Sequence, residues 1–257
     1  MKLQLFIGAM ALMISGSALA GSVLIVNGSS STTEPDTTAA ITSNLSTLHT
    51  AVGNTVTVSS DIPTDLSGYA QIWDIRFSDH FGLTDAQQTQ YLGFLQGGGG
   101  MFLMGENSSF MSRNNSIFDF IGLVGGGSIG WQYVDSYQQV NAPFTGPNPV
   151  TWVDYAAPGG MDSAGSGFFI TEGQGGGGSA VAWGVGDLSN ALNGALTTVF
   201  DVNFMENNYG IEQQNLLKNL IGFVGDQVTP VPEPSAYAML GIGLIGLGVL
   251  RRRKQAA

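Results

Sequence analysis

The chain has no cysteine and only two histidines in 257 residues. The first absence excludes disulfides, cysteine nucleophiles, thiolate metal sites and cysteine-held iron–sulfur clusters. The second argues against a multi-histidine zinc site. Charge is also scarce, at 11% of residues, and positive charge is scarcest. Of the eight Lys and Arg, five lie at the two ends: Lys2, Arg251, Arg252, Arg253 and Lys254. Within residues 21–230 only Arg76, Arg113 and Lys218 face eighteen acids, a net charge of −15. Such a surface repels nucleic acid, which is held by clustered cations. It repels anionic lipid and acidic polysaccharide as well, unless divalent cations bridge them. Solubility outside a cell is the plain reason for a charge of this sign and size.

Both ends read as addresses. Lys2 precedes a mostly apolar stretch, 3–14, and Ala18-Leu19-Ala20 forms a small-x-small cleavage site before Gly21. Residues 1–20 are therefore expected to be a secretory signal peptide, with Gly21 as the mature N-terminus. At the other end stands Val231-Pro232-Glu233-Pro234-Ser235, then an uncharged apolar run of 15 residues, 236–250, then Arg251-Arg252-Arg253-Lys254. A helix needs about 20 residues to cross the hydrocarbon core, so the run is short for a permanent span. The four cations predict that their side stays in the cytoplasm. Two prolines hold the Pro-Glu-Pro segment extended and free of ladder hydrogen bonds, which suits a protease cleft.

These three parts in order resemble the PEP-CTERM sorting signal of Gram-negative bacteria. The resemblance implies that Pro232, Glu233 and Pro234 are recognised by an exosortase-type enzyme in the inner membrane. It implies a transient C-terminal membrane anchor, followed by delivery to the cell surface or extracellular matrix. It also implies an association with exopolysaccharide and biofilm.

Between the addresses, 21–226 are expected to form one exported α/β domain and 227–230 a linker before the sorting signal at 231–254. Residues 23–26 are a continuous apolar run, read as a strand buried on both faces. Ile41, Leu45, Leu48 and Val52 recur at helical spacing. Strands are predicted at 55–58, 69–75 and 101–104. Thr84 is expected to cap a helix with Gln87 as its capping-box partner, Tyr91, Leu92 and Leu95 forming the buried stripe. A short helix follows at 116–124. From 128 to 178 the pattern is irregular, with aromatic residues among Gly and Pro and short strands, antiparallel candidates, expected at 150–155 and 167–171. Residues 180–184 and 196–204 are expected to return to the sheet, and 212–223 to close the domain as a helix. Strand–helix–strand alternation predicts a mostly parallel, flavodoxin-like sheet with helices on both faces. The irregular stretch reads as a Gly- and aromatic-rich β insertion.

The passage from Tyr91 to Glu106, a helix ending in Gly97-Gly98-Gly99-Gly100 before a strand and a sharp turn, resembles class I glutamine amidotransferase-like domains. There a cysteine occupies the turn and works with a later histidine and glutamate. Here the turn is Gly105-Glu106-Asn107-Ser108-Ser109, and no histidine follows His80. The resemblance thus implies a relative without the thiol chemistry.

In parallel sheets ligands gather beyond the carboxyl ends of the strands. Asn27, Arg76, Glu106, Asn107 and Asp201 are expected there and make a candidate pocket. Glu106 with a second acid is the candidate pair for a hydrolase of glycan or small amides. His80, after Asp79, is a solvated loop histidine or a base. His49 reads as a surface or helix-end residue, and the two arginines as neutralising acids near the sheet edge. Oxygen ligands could hold calcium, which would make a calcium-dependent adhesin. No other cofactor is expected. The glycine runs lack the spacing and lysine of a phosphate loop. The preferred expectation is a non-catalytic binding or structural protein of the envelope or matrix.

Overall fold

The continuous apolar runs at 23–26 and 101–104 form inner strands of the sheet, each paired on both sides. The computed structural model describes residues 21–28 and 35–228. The expected signal peptide and sorting tail, with the apolar run at 236–250, lie outside the described residues. In chain order the strands are β1 (Ser22–Val26), β2 (Thr55–Ser59), β3 (Gln71–Asp74), β4 (Gly100–Gly105), β5 (Tyr137–Val140), β6 (Trp152–Asp154), β7 (Phe168–Glu172), β8 (Ala180–Trp183) and β9 (Ala195–Phe200). The helices are α1 (Pro35–Ala51), α2 (Asp85–Gln96), α3 (Met111–Val124) and α4 (Ile211–Gln227).

All nine strands form one sheet, ordered β2-β1-β3-β4-β9-β8-β7-β5-β6. The first five in that order pair in parallel, and the remaining pairings are antiparallel. Alternation along the central strands sends side chains into two cores. Val23, Ile25, Trp73, Phe102 and Met104 pack with α1 and α4 on one face. Leu24, Val26, Ile72, Met101 and Leu103 pack with α2 and α3 on the other. Among the described residues no helix is long and apolar enough to cross a membrane.

The irregular stretch joins the main sheet. β5, β6 and β7 hydrogen-bond into the same sheet and extend it past β8. No helix intervenes between β5 and β8. Short connections cannot make the crossover that parallel pairing needs, so this half is antiparallel. Three boundaries also differ from expectation. α3 begins at Met111 rather than 116, because Asp79 Oδ1 accepts from Ser112 N at 2.8 Å and Arg113 N at 3.3 Å. β9 ends at Phe200 rather than 204, where Asp201 turns the chain. α4 runs to Gln227, the first residue of the expected linker.

The Thr84–Gln87 capping box forms as expected, with both reciprocal bonds made. The glycine run after α2 answers to close packing. Gly98 has φ +91°, and a Cβ on Gly100 would stand 2.8 Å from Val224. His49 corrects another expectation. It continues the Ile41–Leu45 stripe by one further turn, is fully buried, and meets Trp73 edge-to-face at 4.9 Å between ring centroids.

Candidate functional site

The polar residues at the strand ends turn inward. Asp74, the last residue of β3, is fully buried. Its Oδ1 accepts from Arg76 Nε at 2.8 Å, and its Oδ2 from Arg76 NH2 at 2.6 Å and the Tyr91 hydroxyl at 3.0 Å. Arg113 NH2 stands 3.4 Å from Asp74 Oδ1 as an ion pair, while its Nε and NH1 donate to the carbonyls of Met104 and Phe81. Burial pushes the Asp74 carboxyl up, but Arg113 and Arg76 outweigh it and hold the group at about 2. The two arginines therefore neutralise one acid in the interior rather than separate acids at the sheet edge. Each is at most 3% exposed, which leaves neither guanidinium facing a ligand.

Glu106 and Asp201 stand side by side, because Gly105 and Phe200 are register partners at the ends of β4 and β9. Both carboxylates are buried and serve the backbone. Glu106 Oε2 accepts from Val202 N at 2.6 Å, and Oε1 accepts from Asn107 N and Nδ2 at 2.9 and 2.8 Å. Asp201 Oδ2 accepts from Ala156 N and Ala157 N at 2.8 and 3.2 Å, and Oδ1 from Phe204 N at 3.0 Å. Burial raises the Asp201 carboxyl above its ordinary value despite these donors. Asn107 Oδ1 accepts from Ser109 N, so it caps the 3-10 turn that follows. Asn27 Nδ2 reaches Thr42 Oγ1 on α1 at 3.3 Å. Arg76 lies at the end of β3 and is spent on Asp74, apart from the Glu106–Asp201 pair. His80 is exposed in a 3-10 turn against Phe81. Among the described residues no three His, Asp or Glu side chains gather as metal ligands.

An open cleft of about 900 Å³ lies beside these loops, at the free edge of the antiparallel half. Its walls include Tyr137 and Trp152 from β5 and β6, Asp154, and Tyr209, Glu212 and Gln213 around the start of α4. Gln213 Nε2 donates to the Asp154 carbonyl at 2.7 Å and ties the helix to the strand edge. Asp201 reaches the same wall through Ala156. Some burial and the surrounding carboxylates of Asp201, Glu206, Asp154 and Glu106 raise the Tyr209 phenol above its ordinary value. The cleft is absent from the sequence reading because its walls come from three distant segments. The one local trace is alternation: Trp152 and Asp154 flank the buried Val153.

Residues 230–254 match the PEP-CTERM protein-sorting motif. Comparison with curated protein sequences gave no match. Among solved structures the fold is similar to the mmIFT52 N-terminal domain, with TM-score 0.59, 11% identity, and coverage of 79% of this chain and 97% of that one. It is similar to a ThuA-like protein from Bacteroides uniformis, with TM-score 0.55, 14% identity, and coverage of 80% and 91%. It is also similar to an exo-β-1,4-mannosidase from Opitutaceae bacterium strain TAV5, with TM-score 0.51 and 9% identity, over 82% of this chain but 36% of the mannosidase. At such identities the likeness concerns the fold alone. These neighbours do not confirm the amidotransferase-like assignment. The tail match supports an exported protein sorted by an exosortase.

Proposed function

We propose that the chain is an exosortase substrate whose exported domain is a non-catalytic binding or structural module of the envelope or matrix, linked to exopolysaccharide or biofilm. The observation that carries the non-catalytic part is the fate of the strand-end acids. Glu106 and Asp201, the best candidates for a hydrolytic pair, spend both oxygens of each carboxylate on loop backbone. A general acid or nucleophile must present an oxygen to substrate. The strand–turn–helix passage from β4 through Glu106 to α3 supports a distant amidotransferase-like kinship without the thiol.

In this reading residues 236–250 are a transient anchor and Arg251-Arg252-Arg253-Lys254 its cytoplasmic stop. Replacing Pro232, Glu233 and Pro234 together by alanine should hold the protein unprocessed in the inner-membrane fraction. Immunoblots of fractionated cells read this directly. Normal release of the variant would reject sorting through the motif.

Glu106→Gln separates the module from the hydrolase alternative. Glutamine keeps one acceptor oxygen, so a buried N–H loses its partner, at about 1–3 kcal/mol. A fall in Tm of several degrees is expected, with no turnover of glycosides or amides by the parent chain. A hydrolase would show turnover by the parent chain that disappears in this variant while the variant remains folded.

A further inference from the structure

The face of β5 and β6 that points away from the core is unusually equipped. Tyr137 pairs with Asp154 and Gln139 with Trp152 across the two strands. Gln138, Val140 and Val153 are buried, so these four residues share the outward face. The diagonal pair Tyr137–Trp152 stacks with ring centroids 5.0 Å apart and an interplanar angle of 3°. Tyr137 remains 53% exposed. Stacking covers one face of each ring, and the half-exposed Tyr137 ring presents an apolar surface to water, with polar groups close around it. The site is also rigid from behind. The buried Gln138 amide donates to the Asp135 carbonyl and Ser179 Oγ, and accepts from Thr171 Oγ1 and Ser179 N. That network fixes β5, and the Gln213 bond to Asp154 fixes β6. Binding to such a surface orders little that is not already ordered.

The chemistry around the rings narrows the ligand. Asp154, Glu212 and Tyr209 line the same cleft, and among the described residues no Lys or Arg does. Carboxylates accept hydrogen bonds from hydroxyl or ammonium donors and repel anions. A flat apolar surface beside such acceptors matches a pyranose ring, which has an apolar C–H face and a rim of hydroxyls. The cleft is open along the strand edge, and its volume of about 900 Å³ suits a stretch of chain. We propose that this cleft binds a segment of a non-acidic glycan, with one sugar ring on the Tyr137–Trp152 stack and its donors on Asp154 and Glu212. The proposal rests on the reading of the domain as a non-catalytic matrix module and names its ligand class.

Calorimetric titration of the full detergent-solubilised chain tests it with three oligosaccharides: neutral chito-oligosaccharide, its deacetylated cationic form, and anionic oligogalacturonate. Binding of the neutral or the cationic sugar is expected, and the stronger of the two identifies the source. Trp152→Ala and Tyr137→Ala should each weaken it at least about tenfold, with Tm lowered by only a few degrees through loss of the ring stack. Oligogalacturonate should not bind. Absence of binding by both non-acidic sugars, indifference to both substitutions, or equal binding of oligogalacturonate overturns the proposal. Such a failure leaves the sorting and Glu106 experiments standing. Cleavage of a bound sugar would instead reject the non-catalytic reading and keep the cleft.

Discussion

Asp74→Asn should remove a large share of the domain's stability. The wild-type carboxylate takes three side-chain hydrogen bonds, from Arg76 Nε, Arg76 NH2 and the Tyr91 hydroxyl, and faces Arg113 as well. Asparagine removes the charge and turns an NH2 donor toward guanidinium donors. Two buried cations then lack a counter-charge. Breaking a buried ion pair from one side costs about 3–5 kcal/mol, against a typical total stability of about 5–15 kcal/mol. Urea unfolding followed by circular dichroism should show a large drop in midpoint. Removing the whole network together, as Asp74→Leu with Arg76→Met, Arg113→Met and Tyr91→Phe, should recover much of the loss, because no buried charge is then left alone. An unchanged midpoint in Asp74→Asn would mean that water reaches the arginines.

The same network shows where sequence and structure part. Asp74 and Arg76 stand at the end of β3 and Arg113 on α3, and the order of the chain does not show that the two arginines share one acid. Only the packed structure places them against one another under Phe81 and Tyr91. Glu106 and Asp201 follow the same logic. Strand-end position is readable from the chain, whereas the direction in which a carboxylate turns depends on loops up to about 100 residues away. Where the deciding interactions are local, the reading carries through. The runs at 23–26 and 101–104 are strands, and Thr84 and Gln87 cap α2 within one turn. The tail is legible for a different reason. A sorting enzyme reads it as a linear motif, so no fold needs to be known.

The antiparallel half was least legible, and the cleft with it. β5 and β6 are four and three residues long, too short for a secure period-2 signal, and β5 carries two glutamines. One of them, Gln138, is buried because Ser179 and Thr171 from β8's approach and β7 satisfy its amide. Polarity along the chain thus says surface where the completed network says core.

Acidification should destabilise the domain through His49 in particular. The imidazole is fully buried, and burial lowers its pKa from 6.5 to about 4. Its Nδ1 faces Asn54 Nδ2 at 3.1 Å, and Asn54 Oδ1 accepts from Gly21 N, which assigns Nδ1 as an acceptor and the neutral ring as the native form. Protonation would oppose two donors across that contact. As pH falls through 6.5 the unfolded chain takes up the proton first, so unfolding becomes easier until the folded ring is itself titrated near 4. The full loss across that window is about 3 kcal/mol, and it vanishes above pH 7. Asp201, whose pKa burial raises, works in the opposite direction as pH falls. The comparison is therefore with His49→Phe, which keeps Asp201 and an aromatic ring against Trp73. Urea unfolding at pH 7 and pH 4.5 should show the parent losing about 2–3 kcal/mol more than the variant. An equal pH response in both would mean that His49 is charged in the folded state. The effect reaches the strand scaffold directly, because the ring sits on Trp73, and Trp73 stacks on Phe102 of the central β4 at 4.8 Å.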